Sequence, residues 1–162
     1  MRLHEDSKLF NESVRITAGR MGISPVYVEK DYWVTKALYE IFRSPVGFET
    51  VFKGGTALSK CFGLIERFSE DVDLVVLQDE TETGNQLKKK LSKITKAVGT
   101  IMDEVLLEGV ANKRGMIRKA AYDYPITISG DFGQVRKQII IEATWLGRFE
   151  PYHKQNISSY VY

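Results

Sequence analysis

The stretch Phe52-Lys53-Gly54-Gly55-Thr56-Ala57-Leu58-Ser59-Lys60 and the later run Asp71-Val72-Asp73-Leu74-Val75-Val76-Leu77 set two glycines and two aspartates against apolar segments. Phe48 to Phe52 is short and apolar, which predicts a buried strand broken by the glycine pair. Thr56 is placed to cap a helix running to about Ile65. Asp71 to Leu77 is β-branched and apolar apart from its two acids, which predicts a second strand. Fifteen residues separate Gly55 from Asp71, enough for a three-turn helix that returns the chain to a neighbouring strand. Glycines and aspartates are then expected at the same end of one sheet. In a strand, residues i and i+2 share a face about 6.5–7 Å apart, so Asp71 and Asp73 form a two-pronged clamp with Val72 turned away. Such a pair suits a divalent metal. Glycines let the backbone approach a phosphate closely, and the N–H groups and dipole at a helix start attract anions. Lys53, Lys60, Arg67 and Ser69 lie near enough in sequence to offer further phosphate contacts.

A third acid, Glu142, interrupts the apolar run Val135 to Trp145 (VRKQIIIEATW). A carboxylate among such neighbours is costly to desolvate unless a cation meets it. On an adjacent strand of the same sheet, Glu142 would complete with Asp71 and Asp73 a hard-oxygen site for magnesium or manganese. Two such ions about 3.5–4 Å apart would promote in-line phosphoryl transfer.

Outward from this centre, apolar spacing predicts helices over Asp6 to Met21, with Asp6 or Ser7 as N-cap, and from Pro25 to Phe42, closed by Ser44-Pro45. A longer helix is predicted from Asn85 for about 20 residues through Val105, with Gly109 as its stop. Met116 to Tyr124, Pro125 to Ile128 and Val135 to Trp145 read as strands, with Ser129-Gly130-Asp131-Phe132-Gly133 as a hairpin turn between the last two. The order implies one α+β domain over 1–162, a mixed β-sheet flanked by helices. Residues 1–45 form an N-terminal helical pair and 46–162 the sheet-and-helix core.

Composition narrows the classes. The 162 residues are 43% hydrophobic and 27% charged, which excludes a disordered tail. The single Cys61 excludes an internal disulfide. A formal charge of +2 gives no whole-molecule field for nonspecific nucleic-acid binding. With neither a leader nor a membrane-length apolar run, the expected location is the cytoplasm, with no membrane partner. Lys88, Lys89, Lys90, Lys93 and Lys96 read as the solvated face of the long helix, whereas Arg114, Arg118, Lys119, Arg136 and Lys137 are better placed to track a polyanion. Cys61, Trp33 and Trp145 read as packing residues, and His4 and His153 have no partner at ligand spacing.

The string Phe52 to Lys60, followed by Arg67-Phe68-Ser69-Glu70-Asp71-Val72-Asp73-Leu74, closely resembles the first motif of the AbiEii/AbiGii toxin family of nucleotidyltransferases. Glu29-Lys30-Asp31-Tyr32-Trp33-Val34-Thr35 is similar to a stretch typical of that family's N-terminal helix. The resemblance covers roughly residues 24 to 146 and implies the DNA polymerase β-like nucleotidyltransferase fold. By that likeness Gly54, Gly55 and Thr56 bind triphosphate, Asp71 and Asp73 hold magnesium, and Glu142 is the third acid. It also implies a nucleoside triphosphate substrate, GTP among the donors, tRNA or another RNA as acceptor, a cognate antitoxin protein, and a role in phage defence. Family members usually continue into a helical half carrying a lysine and an Arg-Asp motif, which these 162 residues are expected to lack. Two alternatives share the fold: a noncatalytic nucleotide-binding and protein-interaction module, and a nucleotidyltransferase acting on a small molecule such as an antibiotic.

Overall fold

The molecule is built around a helix that is buried on every side over its middle turns. In the computed structural model, which describes residues 2–65, 68, 71–147 and 151–161, helix α2 (Pro25–Arg43) buries Val26, Val28 to Leu38 and Ile41. Pro25 occupies its first turn, where a missing N–H costs nothing. Helix α1 (Ser7–Met21) packs on it through Phe10, Val14 and Ala18. The Asp6 carboxylate caps α1 by accepting from Leu9 N–H, and Gly22 closes it in the left-handed conformation.

Among the described residues five strands form one mixed sheet: β1 (Thr50–Lys53), β2 (Val72–Val76), β3 (Asp103–Val105), β4 (Ile117–Asp123) and β5 (Ile139–Thr144). Their spatial order is β1-β2-β5-β4-β3, with β2 and β5 parallel and all other neighbours antiparallel. Between β1 and β2 runs helix α3 (Gly54–Phe62); between β2 and β3 runs helix α4 (Gly84–Val98). This mixed α+β architecture is the nucleotidyltransferase-like fold expected from the sequence. Among the described residues no helix is long and apolar enough to cross a membrane.

One face of the sheet presents Val72, Leu74, Val76, Ala120, Tyr122, Ile139, Ile141 and Ala143 to the core shared with α1, α2 and α4. Helix α4 supplies Leu87, Leu91, Ile94 and Val98 to it. Replacing the fully buried Ile94 by alanine is expected to cost about 2–5 kcal/mol. The denaturant midpoint should fall at unchanged slope.

Several expectations need correction. Helix α3 begins at Gly54, so Thr56 lies inside it and does not cap it. Its end comes at Phe62, where Gly63 adopts φ 61° and Leu64 N–H bonds back to the Leu58 carbonyl. Helix α4 stops at Val98, well short of Val105, because Gly99 closes it. Met102 stays in the core from the following turn, and Val105 joins β3, a strand the sequence reading missed. The start of α4 is fixed by a capping box between Thr83 and Gln86. Pro125 to Ile128 is not a strand, for its backbone turns to Glu29: Thr127 and Ile128 N–H donate to that carboxylate. The hairpin joins β4 to β5, with Tyr122 opposite Ile139, across a long connection in which residues 135–138 form no strand.

Candidate active site

Strand alternation sends Lys53, Asp73, Lys119 and Glu142 to the face opposite the core. In the register of the ladder Lys53 stands opposite Asp73, Asp73 opposite Glu142, and Glu142 opposite Lys119. Two ammonium groups and two carboxylates thus form one row across β1, β2, β5 and β4. Asp71, two residues before Asp73, precedes β2.

The glycine pair meets this row at the β1–α3 junction. Gly54 has φ +79°, a conformation side chains rarely adopt. A Cβ there would also sit 2.3 Å from Asp73 Oδ2. The Asp73 carboxylate therefore rests against the first residue of α3, where the helix's free N–H groups and positive dipole end are found. Thr56 ties the two motifs together from inside: its hydroxyl donates to the Asp71 carbonyl at 2.5 Å. Gly55 is the second residue of the same helix.

The acids differ in environment. Burial pushes the Asp73 carboxyl above its ordinary value of 3.8; Glu142 and Asp71 add to the effect, while Lys53 and Lys119 oppose it. Asp71 Oδ1 is buried with no hydrogen-bond partner among the described residues. The Glu142 carboxylate is taken up by Lys119 Nζ at 2.8 Å.

Asp73 and Glu142 are brought to facing positions of the ladder, with the Glu142 carboxylate engaged by Lys119. Among the described residues no group of three or more His, Cys, Asp or Glu is disposed to hold a metal ion. Asp71 and Asp73 remain as a pair, and that pair still fits magnesium, which is commonly bound by one or two carboxylates plus substrate phosphates. The orphaned Asp71 oxygen is the kind of hard donor such an ion takes up.

A family model described as nucleotidyl transferase AbiEii toxin, type IV toxin–antitoxin system, matches residues 36–162. The chain belongs to that AbiEii family. As an AbiEii nucleotidyltransferase toxin it takes a nucleoside triphosphate as substrate and is paired with a cognate antitoxin. Membership of a nucleotidyltransferase family also suggests a divalent metal in general terms. No curated protein with which the AbiEii chain was compared matches it.

Other predicted contacts of this AbiEii chain fall elsewhere. Lys60 points away from the glycine pair into a buried ion pair with Asp31, Nζ to Oδ1 at 2.5 Å, which removes it from the phosphate contacts. Arg67 and Ser69 lie outside the described residues. Arg118, opposite Ala143 in the register, shares the core-side face and donates to Thr95 on α4, so it does not stand beside Lys119 on the acid row. Lys90 is held by Glu49 and Glu82. His4 has an unforeseen partner, Tyr32 OH at 2.7 Å from Nδ1. Burial pushes the Cys61 thiol up, disfavouring the thiolate a nucleophile needs. A cleft of about 410 Å³ between Gly99 to Asp103 and Asp123 to Pro125 lies at the β3 edge and holds none of the predicted site residues.

Sequence reasoning gave Glu29, Lys30 and Asp31 no separate role, yet all three are buried. Glu29 accepts from the Thr127 hydroxyl and from the N–H groups of Thr127 and Ile128. Lys30 donates to the Arg136 carbonyl. Asp31 pairs with Lys60 and accepts from Tyr160 N–H at 2.8 Å. Their signal was present: three consecutive charges sweep most of a helix's circumference, so with Val28 and Tyr32 beside them they cannot share one solvated stripe.

Proposed function

We propose that this chain is a magnesium-dependent transferase that moves a nucleotide from a nucleoside triphosphate, GTP among the candidates, to an RNA acceptor, with tRNA the leading one. The contact between Asp73 and Gly54 carries the reading, because it joins a carboxylate clamp to the anion-attracting end of a helix. Residues 1–162 act as a single nucleotidyltransferase domain in the cytoplasm, in phage defence.

In this scheme the backbone N–H groups at Gly54, Gly55 and Thr56 hold the triphosphate. Lys53, Arg67 and Ser69 add phosphate contacts. Asp71 and Asp73 are the ligands for the cation, which when bound supplies charge neutralisation at the triphosphate. Glu142 works beside them through its charge, since Lys119 occupies its carboxylate. An acceptor hydroxyl oxygen bonds to the α-phosphorus, the bond from that phosphorus to the pyrophosphate oxygen breaks, and the hydroxyl proton passes to solvent. The chain's contribution is mostly positioning and electrostatics.

The engagement of Glu142 by Lys119 favours one rival, a noncatalytic module that retains nucleotide affinity. Incubating each α-labelled triphosphate with total RNA, magnesium and either the wild type or Asp71→Ala/Asp73→Ala separates the two. Label should enter RNA with the wild type alone. Equal labelling by both proteins counts against the proposal, and thermal stabilisation by magnesium and GTP without product supports the rival.

A further inference from the structure

Helix α3 has little apolar grip on the protein. Of its nine residues only Thr56 and Ala57 are buried, whereas Leu58 and Phe62 are exposed. It packs mainly on β1 and β2, close to its own N-terminus. So short a helix on so small an apolar footprint can roll or tilt at little cost, because apolar contact is non-directional. Yet its N-terminus must aim Gly54 and the following N–H groups beside Asp73.

Polar contacts supply the missing direction. At the N-terminal end, Thr56 is bonded to the Asp71 carbonyl. Toward the other end stands Lys60, about 9 Å from Gly54 along the axis at 1.5 Å per residue. Its side chain and that of Asp31 are each only 4% exposed. Asp31 in turn sits on α2, the most deeply buried helix, and its second oxygen is fixed by Tyr160 N–H. The Lys60 ammonium also lies 5.2 Å from the Tyr160 ring centroid. A buried ion pair is weak evidence for stability, since well-packed neutral residues often do as well. Its use is geometric: two charges in an apolar surrounding accept few arrangements other than the paired one.

We propose that Asp31 and Lys60 are positioning residues for the triphosphate cradle, holding α3 at the angle that keeps its N-terminus against the acid pair. This rests on the reading of Gly54, Gly55 and Thr56 as the triphosphate site. Neither residue touches substrate, and both act through the orientation of the helix.

The test compares the wild type with Asp31→Asn/Lys60→Met, which removes both charges and strands neither, and with Lys60→Arg, which keeps the pair. Amide hydrogen exchange over residues 54–60 is read without substrate, and KM and kcat for the triphosphate are read separately. The neutral pair should exchange at least about tenfold faster over 54–60, with α1 and α4 unchanged, and Lys60→Arg should stay near the wild type. KM should rise about tenfold, the lower end of what supporting partners contribute, with a smaller change in kcat. Unchanged exchange and unchanged KM in the neutral pair would overturn the proposal, as would faster exchange spread evenly over all helices, the sign of a merely structural role. If the wild type turns over no triphosphate, the functional reading fails, and exchange over 54–60 still decides whether the pair holds the helix.

Discussion

Gly54→Ala is expected to lower nucleotide transfer about 100-fold, although the substitution adds one methyl group and removes no polar atom. Two independent costs meet at that position. The backbone sits at φ +79°, which alanine adopts with strain, and the new Cβ would overlap Asp73 Oδ2 at 2.3 Å. The side chain can yield and the backbone cannot do so without unwinding the start of α3, so the Asp73 carboxylate swings away. Magnesium binding should weaken together with triphosphate binding, which isothermal titration of each ligand would measure. A Gly54→Ala enzyme with wild-type kcat/KM would remove the contact from the mechanism. Gly63→Ala is the control: it carries a comparable backbone strain at φ +61° with nothing within 4 Å of the added carbon, so it should cost stability and spare magnesium affinity.

Asp73→Asn should abolish transfer, by a factor on the order of 10³ or more, and at the same time stabilise the metal-free fold. Burial, reinforced by Glu142 and Asp71, holds the Asp73 pKa above 3.8 in the native state. Between 3.8 and the raised value the folded protein binds more protons at this site than the unfolded chain does. Stability therefore falls as pH rises through that window, and above it the ionised carboxylate is a standing cost. The variant lacks this cost, so at pH 7 without metal its Tm should exceed that of the wild type by about 1–3 °C. The difference should vanish below the window. Adding magnesium should reverse the order, because only the wild type gains the bound ion. In Glu142→Gln the Asp73 pKa should move down, since a neighbouring anion has been removed; carboxyl ¹³C shifts followed through a pH titration would detect it. A Tm for Asp73→Asn below that of the wild type at neutral pH, without metal, would contradict the electrostatic account.

The elements that place the two aspartates were legible because they depend on local chemistry. Glycines where a strand gives way to a helix, and acids in alternation with Val72 and Leu74, state their own conformation. The fate of Lys60 was not legible. Its neighbourhood to Gly54 in sequence suggested a phosphate contact, and only the tertiary arrangement that brings α2 within reach of the Lys60 ammonium turns it to Asp31. Glu142 was recognised as an acid on an apolar strand, but its engagement by Lys119 follows from the β4–β5 register, which no periodicity encodes. Strand pairing likewise explains β3: Asp103 to Val105 is too short and too polar to announce a strand, and it forms because β4 offers an edge opposite it. The long helix was overextended because Ile101, Met102 and Val105 keep helical spacing beyond Gly99, where the chain in fact turns.

The strand order also governs when the sheet is joined during synthesis. β5 follows β4 in the chain yet lies between β2 and β4, so until Thr144 has been made the sheet of the described strands is two unjoined pieces. One piece carries Asp73 with Lys53, and the other carries Lys119. A ribosome that stalls before that point releases a product lacking the central rung between them. Since distant pairings of this kind form late and slowly, a harmful activity is withheld by topology alone from copies that end before β5.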